Sequence, residues 1–313
     1  MTKVAGAAGD QPHITAAMVK ELREQTGAGM MDVKRALTEA KGNMEEATKI
    51  LRKKGLAAAT KKAGRIASEG AVQAYTSGNT GVLVEVNCET DFVARTDQFK
   101  QFAADVAKFI AGSKAADVPA LLDEEFSKGE TLAHKTQALI AAIGENVTVR
   151  RFARYQAPAN ATLGTYIHAG GKIGVMVELV ASSGSDRAAA AARDIAMHIA
   201  AAEPRFIARA DVTEKDLDTE REIARDQAQK SGKPANIIEK MVAGKLEKFY
   251  GEACLLEQPY IRNDKQSVGD YLKEAGKSAG CAYTVTRFVR YKLGEGIEKR
   301  GDDFAAEVAT YLK

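Results

Sequence analysis

The chain has 313 residues, and a composition of 45% hydrophobic and 28% charged residues is typical of a globular protein and excludes an intrinsically disordered one. The formal net charge of +3 is too small to indicate nucleic-acid binding by itself, and the length allows two or three domains. Three widely spaced cysteines argue against a disulfide framework or a zinc site, and no apolar run approaches the length of a membrane span. Residues 1–13 lack the apolar segment of a signal peptide, so we expect a short flexible tail and a cytoplasmic protein.

Three short amphipathic patterns follow the tail. The first begins at Thr15, a favourable helix N-cap, and ends in the glycine-containing segment TGAGMMD. The second ends at KGN, residues 41–43, and the third is expected to end at Gly55. Together they predict a three-helix bundle over residues 14–55, and we interpret the basic, alanine-rich residues 56–68 as a partly helical linker.

A strand pattern begins at Gly81 in the segment GVLVEVNC. Its three valines and Cys88 share one face, which predicts that the Cys88 thiol is buried, while Leu83, Glu85 and Asn87 lie on the other face. The following patterns predict an amphipathic helix over residues 96–112, a second helix over residues 118–143 and a strand over residues 146–155.

Three pairs of segments resemble each other and occur in the same order along the chain. Their order predicts two duplicated α+β subdomains. The pairs are GNTGVLVEV (78–86) with GKIGVMVEL (171–179), DVAKFIA (105–111) with DIAMHIA (194–200), and VTVRRFARY (147–155) with YTVTRFVRY (283–291). In this alignment His198 takes the place of Phe109, which predicts that the histidine packs in the core.

An insert interrupts the second subdomain. It contains two helical patterns separated by SGKP, where Gly232 can end one helix and Pro234 can lie early in the next, which predicts a projecting antiparallel helical hairpin. The last segment, DDFAAEVATYLK, is typical of a short C-terminal helix. The predicted α+β architecture comprises a tail (1–13), a three-helix bundle (14–55), a basic linker (56–68), a first core subdomain (69–160), a second core subdomain (161–210 and 252–293), the hairpin (211–251) and a C-terminal module (294–313).

The motifs of common enzymes are missing from the sequence. There is no P-loop, no GxSxG, no HExxH and no glycine-rich dinucleotide loop after a strand. None of the four histidines has a metal-ligating partner at helical spacing. We therefore expect no enzyme activity, no cofactor and no metal site, although an enzyme whose catalytic residues meet only in the fold stays open as an alternative.

Three apolar side chains occupy unusual positions. Phe92 follows Asp91 in a polar turn after the first strand, and Met30 and Met31 follow the glycine turn in the bundle. Spacing alone leaves two interpretations, core residues that cover their own subdomains or contact residues for a partner. Because neighbours on a helix point apart, we expect one methionine to lie in the core and the other at a contact.

Several segments of the chain resemble the bacterial elongation factor Ts family. They are VKELREQTGAGMMDVKRAL, EVNCETDFVAR, SGKP, DIAMHIAA and GEGIEK, and the resemblance extends from Ile14 to the C-terminus, with the tail as the departure. It implies a fold that begins with a UBA-like bundle. It also implies a guanine nucleotide exchange factor for the GTPase elongation factor Tu, which acts in translation elongation without covalent chemistry.

The resemblance also implies which residues contact the GTPase. The bundle would dock on one helix, and the turn would insert between two helices beside the magnesium site, which releases GDP so that GTP can bind. The hairpin and the C-terminal helix would be further docking elements, and the hairpin could also mediate a homodimer. The implied partner-binding residues are Arg23, Met30, Met31, Asp91, Phe92, Ile143 and His168, and the implied magnesium-displacing turn is Thr90, Asp91, Phe92 and Val93.

Two further alternatives remain at this point. An RNA- or ribosome-binding protein is favoured by the basic residues 56–68 and by Arg150, Arg151 and Arg154 on a predicted strand, while the small net charge and the few aromatic residues count against it. A scaffold that binds the same GTPase without changing the rate of GDP loss would carry the same contact residues. For His168, the alternative is an ordinary solvent-facing residue.

Overall fold

A computed structural model of the chain describes residues 14–182, 187–230 and 232–298, which combine α-helices with antiparallel β-strands. The predicted tail and the predicted C-terminal helix lie outside the described residues. No helix within the described ranges combines the length and the apolarity that crossing a lipid bilayer requires.

The elements follow one another in chain order. The helices are α1 (Ala16–Thr26), α2 (Met30–Glu39), α3 (Met44–Lys62), α4 (Asp91–Arg95), α5 (Asp97–Gly112), α6 (Val118–Asp123), α7 (Leu132–Ile143), α8 (Ala188–Ala202), α9 (Glu214–Gln229), α10 (Ala235–Ala253) and α11 (Val268–Ala279). The strands are β1 (Glu69–Ser77), β2 (Thr80–Cys88), β3 (Glu125–Ser127), β4 (Glu130–Thr131), β5 (Val147–Gln156), β6 (Ala161–His168), β7 (Ile173–Ala181), β8 (Pro259–Tyr260), β9 (Asn263–Ser267) and β10 (Tyr283–Lys292).

Helices α1, α2 and α3 pack around a small apolar cluster centred on Leu22, Val33 and Leu37. Thr15 caps α1 as expected, since its hydroxyl accepts a hydrogen bond from the Met18 N–H at 3.2 Å. The predicted end of the third helix at Gly55 is wrong, because α3 continues to Lys62. Residues 56–62, the first part of the segment predicted as a partly helical linker, are therefore helix.

Packing against α7 explains why α3 continues past its glycine. Gly55 is buried beside the backbone of α7, and a Cβ at this position would lie 3.6 Å from the Gln137 carbonyl oxygen. Tertiary packing of this kind stabilises a helix beyond its local propensity. The intrinsic cost of one glycine, about 1 kcal/mol, is small by comparison with the burial of such a face.

The first sheet has the order β1-β2-β5, and all its neighbours are antiparallel. Helix α5 covers one face with Phe99, Phe102, Val106 and Ile110. The predicted single helix over residues 118–143 is wrong, since α6 and α7 are separated by the β3–β4 hairpin. Gly129, with a φ of +73°, forms the hairpin turn in a backbone region that favours glycine.

The second sheet has the order β10-β7-β6 and is also antiparallel. Its central strand β7 corresponds to the central strand β2 in the repeated segments, and α8 covers it as α5 covers β2. Both sheets also contain a register shift at the same place, opposite Glu85 in the first and opposite Glu178 in the second.

The two sheets pack face to face. Val72, Leu83 and Met176 are fully buried between them, and the Val72 N–H donates a 2.8 Å hydrogen bond to the Gly171 carbonyl of the other unit. Strands β2 and β7 are consequently buried on both faces. This explains why Glu85 and Asn87 have no exposed surface although they lie opposite the valine face.

Two corresponding glycines allow the sheets to approach closely. A Cβ at Gly81 would lie 2.7 Å from the Met176 sulfur, and a Cβ at Gly174 would lie 2.4 Å from Cγ1 of the buried Val72 and 2.9 Å from the Leu83 side chain. An added Cβ would force these groups to shift, which is easier for the flexible Met176 at Gly81 than for Val72 at Gly174.

Replacing Gly174 by alanine is therefore expected to lower the free energy of unfolding by about 1–3 kcal/mol, because the added methyl group overpacks the space beside the stiff Val72 side chain. Urea denaturation measures the change. Gly244→Ala in α10 is the matched control, since a Cβ there meets no atom within 4 Å, and it is expected to leave the protein equally stable or more stable. Equal effects of the two substitutions would contradict the sheet-packing argument.

A pair of reciprocal arginine contacts joins the two units. The buried Glu85 binds Arg151 at 2.6 Å, and the Arg151 guanidinium lies 4.3 Å from the ring centre of Tyr291 in the second sheet. The equivalent groups repeat this arrangement in the opposite direction. Glu178 binds Arg287 at 2.7 Å, and Arg287 lies 4.1 Å from the ring centre of Tyr155 in the first sheet.

Helices α9 and α10 form the inserted pair and contact each other through Ala224, Ala228 and Val242. Because only a short segment connects them, they run antiparallel. Gln258 links the end of α10 to the end of α8. Its side-chain amide donates hydrogen bonds to the carbonyls of Ala202 in α8 at 3.0 Å and Glu252 in α10 at 2.6 Å.

His198 supports the same region from the core, and its predicted burial is confirmed. Its Nδ1 accepts the Ile261 N–H at 3.3 Å, so the other nitrogen, Nε2, carries the proton and donates to the Gln258 side-chain oxygen at 2.9 Å. Burial lowers the pKa of His198 below its ordinary value, and the hydrogen bond to Gln258 opposes this only in part.

This environment predicts a loss of stability in mild acid. The unfolded chain takes up a proton near pH 6.5 while the folded imidazole stays neutral, so the free energy of unfolding should fall by up to about 1.4 kcal/mol per pH unit below that pH. Denaturant titrations of the wild type and His198→Phe between pH 5 and 8 measure the slope, which should be smaller in the variant. The exposed His134→Gln is the control. A variant slope equal to that of the wild type would contradict the prediction.

Candidate partner-binding surface

The turn after β2 presents Phe92 to solvent. Strand β2 ends at Cys88, and α4 begins at Asp91 after the cap residue Thr90, whose hydroxyl accepts the Val93 N–H at 3.3 Å. The Phe92 side chain is 79% exposed, so it is not a core residue. An exposed aromatic ring can bury its surface only against another molecule, and on a capped turn such as this it is a candidate contact.

The underside of the turn is anchored in the protein. Val93 packs against the core of the first unit, while its neighbour Phe92 points outwards. Cys88 is fully buried, as predicted, and its thiol donates to the Thr90 carbonyl at 3.2 Å. Burial raises the pKa of the Cys88 thiol to about 12, so this group stays protonated and unreactive.

Asp91 is half-exposed and forms an ion pair with Arg95 at 2.7 Å within α4. The carboxylate lies in the first turn of the helix, where a negative charge is favourable. Because both partners reach solvent, the pair is weak and can be exchanged for another partner at low cost.

Glu145 holds the turn from below, and sequence reasoning did not single it out. Its carboxylate accepts the Glu89 N–H at 3.2 Å, the Thr90 N–H at 3.0 Å and the Thr90 hydroxyl at 2.7 Å. The only local signal is its place after Gly144, which ends α7 with a φ of +88°. The contact spans 55 residues, so no periodic pattern could have indicated it.

Ile143, the last residue of α7, is partly buried and packs against the core of the first unit. Because Glu145 follows it by two residues, the structure brings Ile143 and the Phe92 turn into one region.

Arg23, Met30 and Met31 meet in a second region. They line a groove of about 960 Å³ between α1 and α2, together with Val19 and Lys34. Met30 is 57% exposed and Met31 is 66% exposed, so the expectation that one of them is core is wrong. The reason is their place in the first turn of α2, ahead of the buried stripe that starts at Val33.

His168 ends strand β6 in a third region and is exposed. Its Nδ1 lies 3.0 Å from the Tyr166 hydroxyl, and the two rings are stacked with centroids 5.9 Å apart. This contact holds the imidazole at the edge of the sheet in a defined orientation.

The candidate residues thus form three patches on the surface rather than one pocket. Within the described part of the chain, no cluster of histidine, cysteine and acidic side chains suits a metal ion. The strand arginines that favoured RNA binding bond internally. Arg150 and Arg151 bind the buried Glu85, and Arg154 donates to the Ile110 carbonyl at 3.3 Å.

Comparison with known proteins places this chain in a family. The family model described as Elongation factor TS matches residues 89–295. Elongation factor Ts of Syntrophotalea carbinolica is 51% identical over 302 residues, which cover 96% of this chain and 99% of that protein. The Clostridium perfringens protein of the same name is 49% identical, with 95% and 98% covered, and that of Trichlorobacter lovleyi is 48% identical, with the same coverage. The chain therefore belongs to the elongation factor Ts family.

Proposed function

We propose that this protein is a cytoplasmic guanine nucleotide exchange factor for elongation factor Tu. It binds the GDP-bound GTPase and speeds the loss of GDP, so that GTP can take its place. The observation that carries the proposal is the Phe92 ring, which is 79% exposed on a short helix whose underside is pinned by Val93 and Glu145.

In the proposed mechanism, Phe92 inserts between two helices of the GTPase beside its magnesium site, and Asp91 lies next to it. Magnesium requires near-octahedral coordination and bridges the nucleotide phosphates to the protein, so small displacements of the groups that hold it weaken GDP binding. Burial of the ring contributes about 1.5–3 kcal/mol, which can offset part of the cost of moving these helices. The turn Thr90, Asp91, Phe92 and Val93 needs no covalent step for this action.

The other two patches would provide affinity. The groove with Arg23, Met30 and Met31 suits an apolar and acidic helix surface, because flexible methionine side chains adapt to a partner and Arg23 adds a positive charge. We propose His168 as a contact beside the phosphate-binding region of the GTPase and Ile143 as a further contact with the same partner. The helix pair α9–α10 is a further proposed docking element, and a homodimer through it remains a prediction.

The proposal includes two finer features of the fold. The N-terminal bundle is proposed to be UBA-like and to form the docking module, and the two sheet units are proposed to be duplicated subdomains. The equivalent ion pairs of Glu85 with Arg151 and Glu178 with Arg287 support the duplication, since they occupy matching positions of the repeated segments.

The test is the release of a fluorescent GDP analogue from elongation factor Tu with and without this protein. If this protein lowers the affinity of elongation factor Tu for GDP, then bound GDP must lower the affinity of elongation factor Tu for this protein by the same factor. The proposal therefore expects faster release and a weaker complex at high GDP concentration. Complex formation without faster release would support a scaffold instead. RNA binding with a steep salt dependence, in place of acceleration, would favour the RNA-binding alternative.

A further inference from the structure

The end of α7 and the turn that carries Phe92 are joined in both directions. Besides the three hydrogen bonds that Glu145 accepts from Glu89 and Thr90, the Glu89 carboxylate accepts the Asn146 N–H at 2.6 Å. Each segment satisfies backbone donors of the other through a carboxylate. Bonds to ionised acceptors are the strong ones, so neither segment can shift without losing several of them.

The Thr90 hydroxyl connects Glu145 to the helix of the turn. It donates its proton to Glu145 and at the same time accepts the Val93 N–H at 3.3 Å. Helix α4 has only five residues, which is too short to be stable without its cap. Glu145 therefore orients the capping oxygen and, through it, the backbone on which Phe92 stands.

The same junction reaches the N-terminal bundle. The Asn146 side-chain amide donates to the Arg65 carbonyl at 2.9 Å, and the Arg65 guanidinium lies 3.4 Å from the Glu89 carboxylate. Arg65 follows the end of α3 closely, and α3 also packs along α7. The position of the Phe92 turn relative to the bundle is thus set where these three segments meet.

We infer that Glu145 is a positioning residue for the exchange activity, which holds Thr90 so that Phe92 is ordered before the partner arrives. The inference rests on the proposed function. A turn whose backbone is already ordered does not have to be immobilised when Phe92 inserts, so the gain appears in the rate of GDP release. Affinity is shared with the bundle groove and the other patches, and it depends less on this residue.

Glu145→Gln tests the inference because glutamine preserves the size of the side chain but replaces one accepting oxygen by a donating group. The GDP release rate at saturating exchange factor is expected to fall about tenfold. The concentration that gives half-maximal acceleration is expected to change by less than about twofold. Glu145→Asp, which retains the carboxylate, should recover part of the rate. Thr90→Val should produce a similar loss, and the double variant should lose little more than either single one.

Amide hydrogen exchange of the free protein gives a readout independent of activity. In Glu145→Gln the one remaining oxygen is neutral and accepts the amides of Glu89 and Thr90 more weakly, so these amides should exchange faster, while that of Val84 in β2 stays protected. The control is Glu130→Gln, since Glu130 lies at the opposite end of α7 and binds Ser127 and Lys135 instead. It should leave both readouts unchanged.

The outcomes separate the two proposals. A wild-type protein that does not accelerate GDP release would overturn the proposed function, whatever the amides show. With an active wild type, a Glu145→Gln variant that keeps the full maximal rate would overturn the positioning role. So would a rate loss accompanied by faster exchange of Val84, since that pattern means general destabilisation.

Discussion

At a saturating concentration of this protein, replacing Phe92 by alanine is expected to lower the accelerated rate of GDP release from elongation factor Tu by roughly 10- to 150-fold. The reason is that burial of the ring contributes about 1.5–3 kcal/mol to the complex in which the GTPase is distorted. The folded protein itself should lose little stability, since the ring is 79% exposed and has no core contact to lose. Release of a fluorescent GDP analogue measures the rate, and urea denaturation measures the stability.

Two variants make this test specific. Asp91→Ala removes the neighbouring charge and should have a smaller effect, because its present partner, Arg95, reaches solvent. Ile261→Ala is the matched control, since this side chain between β8 and β9 is also exposed and apolar but belongs to none of the proposed docking elements. Full activity of Phe92→Ala would transfer the mechanism to the bundle groove or to His168.

Glu85→Gln is expected to lower the free energy of unfolding by about 3–5 kcal/mol, because it removes the buried charge that Arg150 and Arg151 share and leaves Arg151 only the half-exposed Glu295 as an acidic partner. Glu85 has no exposed surface and binds Arg150 at 3.0 Å, Arg151 at 2.6 Å and the Gly294 N–H at 2.8 Å. Denaturant unfolding measures the loss. The double variant Glu85→Gln with Arg151→Gln should recover part of it, since it removes one of the charges.

The pKa of Glu85 adds a pH dependence to this prediction. Burial alone would raise it, but the hydrogen bond from Gly294 and the two arginines outweigh burial and hold the pKa below its usual range. The stabilisation is therefore present above about pH 4.3 and is lost as the pH falls towards the lower folded value. The Gln variant should lose less stability over this range than the wild type does.

The control for Glu85 is an exposed ion pair. Glu24→Gln breaks a contact of 3.9 Å with Lys20 in which both side chains are mostly exposed, and it should change stability by less than about 0.5 kcal/mol. A Glu85 effect no larger than that of Glu24 would mean that the reciprocal contacts do not hold the two units together.

Much of the local structure could be predicted from short sequence patterns. Thr15 and the glycine after α1 delimit that helix, and the apolar stripe of α5 and the valines of β2 identify their buried faces. The matching segments also predicted corresponding strands that occupy corresponding places in the two sheets. These signals work because caps and side-chain periodicity depend on residues only a few positions apart.

The predictions that were wrong failed because they depend on contacts between segments far apart in the sequence. Helix α3 continues past Gly55 because α7 covers it, and the helix predicted over residues 118–143 is broken by a hairpin at Gly129. Met30 and Met31 are both exposed because, among residues 14–298 as far as the structure describes them, no other element covers the first turn of α2. In each case the outcome depends on what lies opposite the segment in space, and a propensity does not contain that information.

The candidate surface shows the same division. The polar turn and the aromatic residue after Asp91 could be recognised in the sequence, because they depend on neighbouring residues alone. The exposure of Phe92, the hold of Glu145 on the turn from 55 residues away and the burial of Glu85 between two sheets, bound to Arg151 66 residues along the chain, could be seen only in the folded protein. Such contacts form when the sheets and helices close on one another, and their hydrogen bonds and burial appear only then.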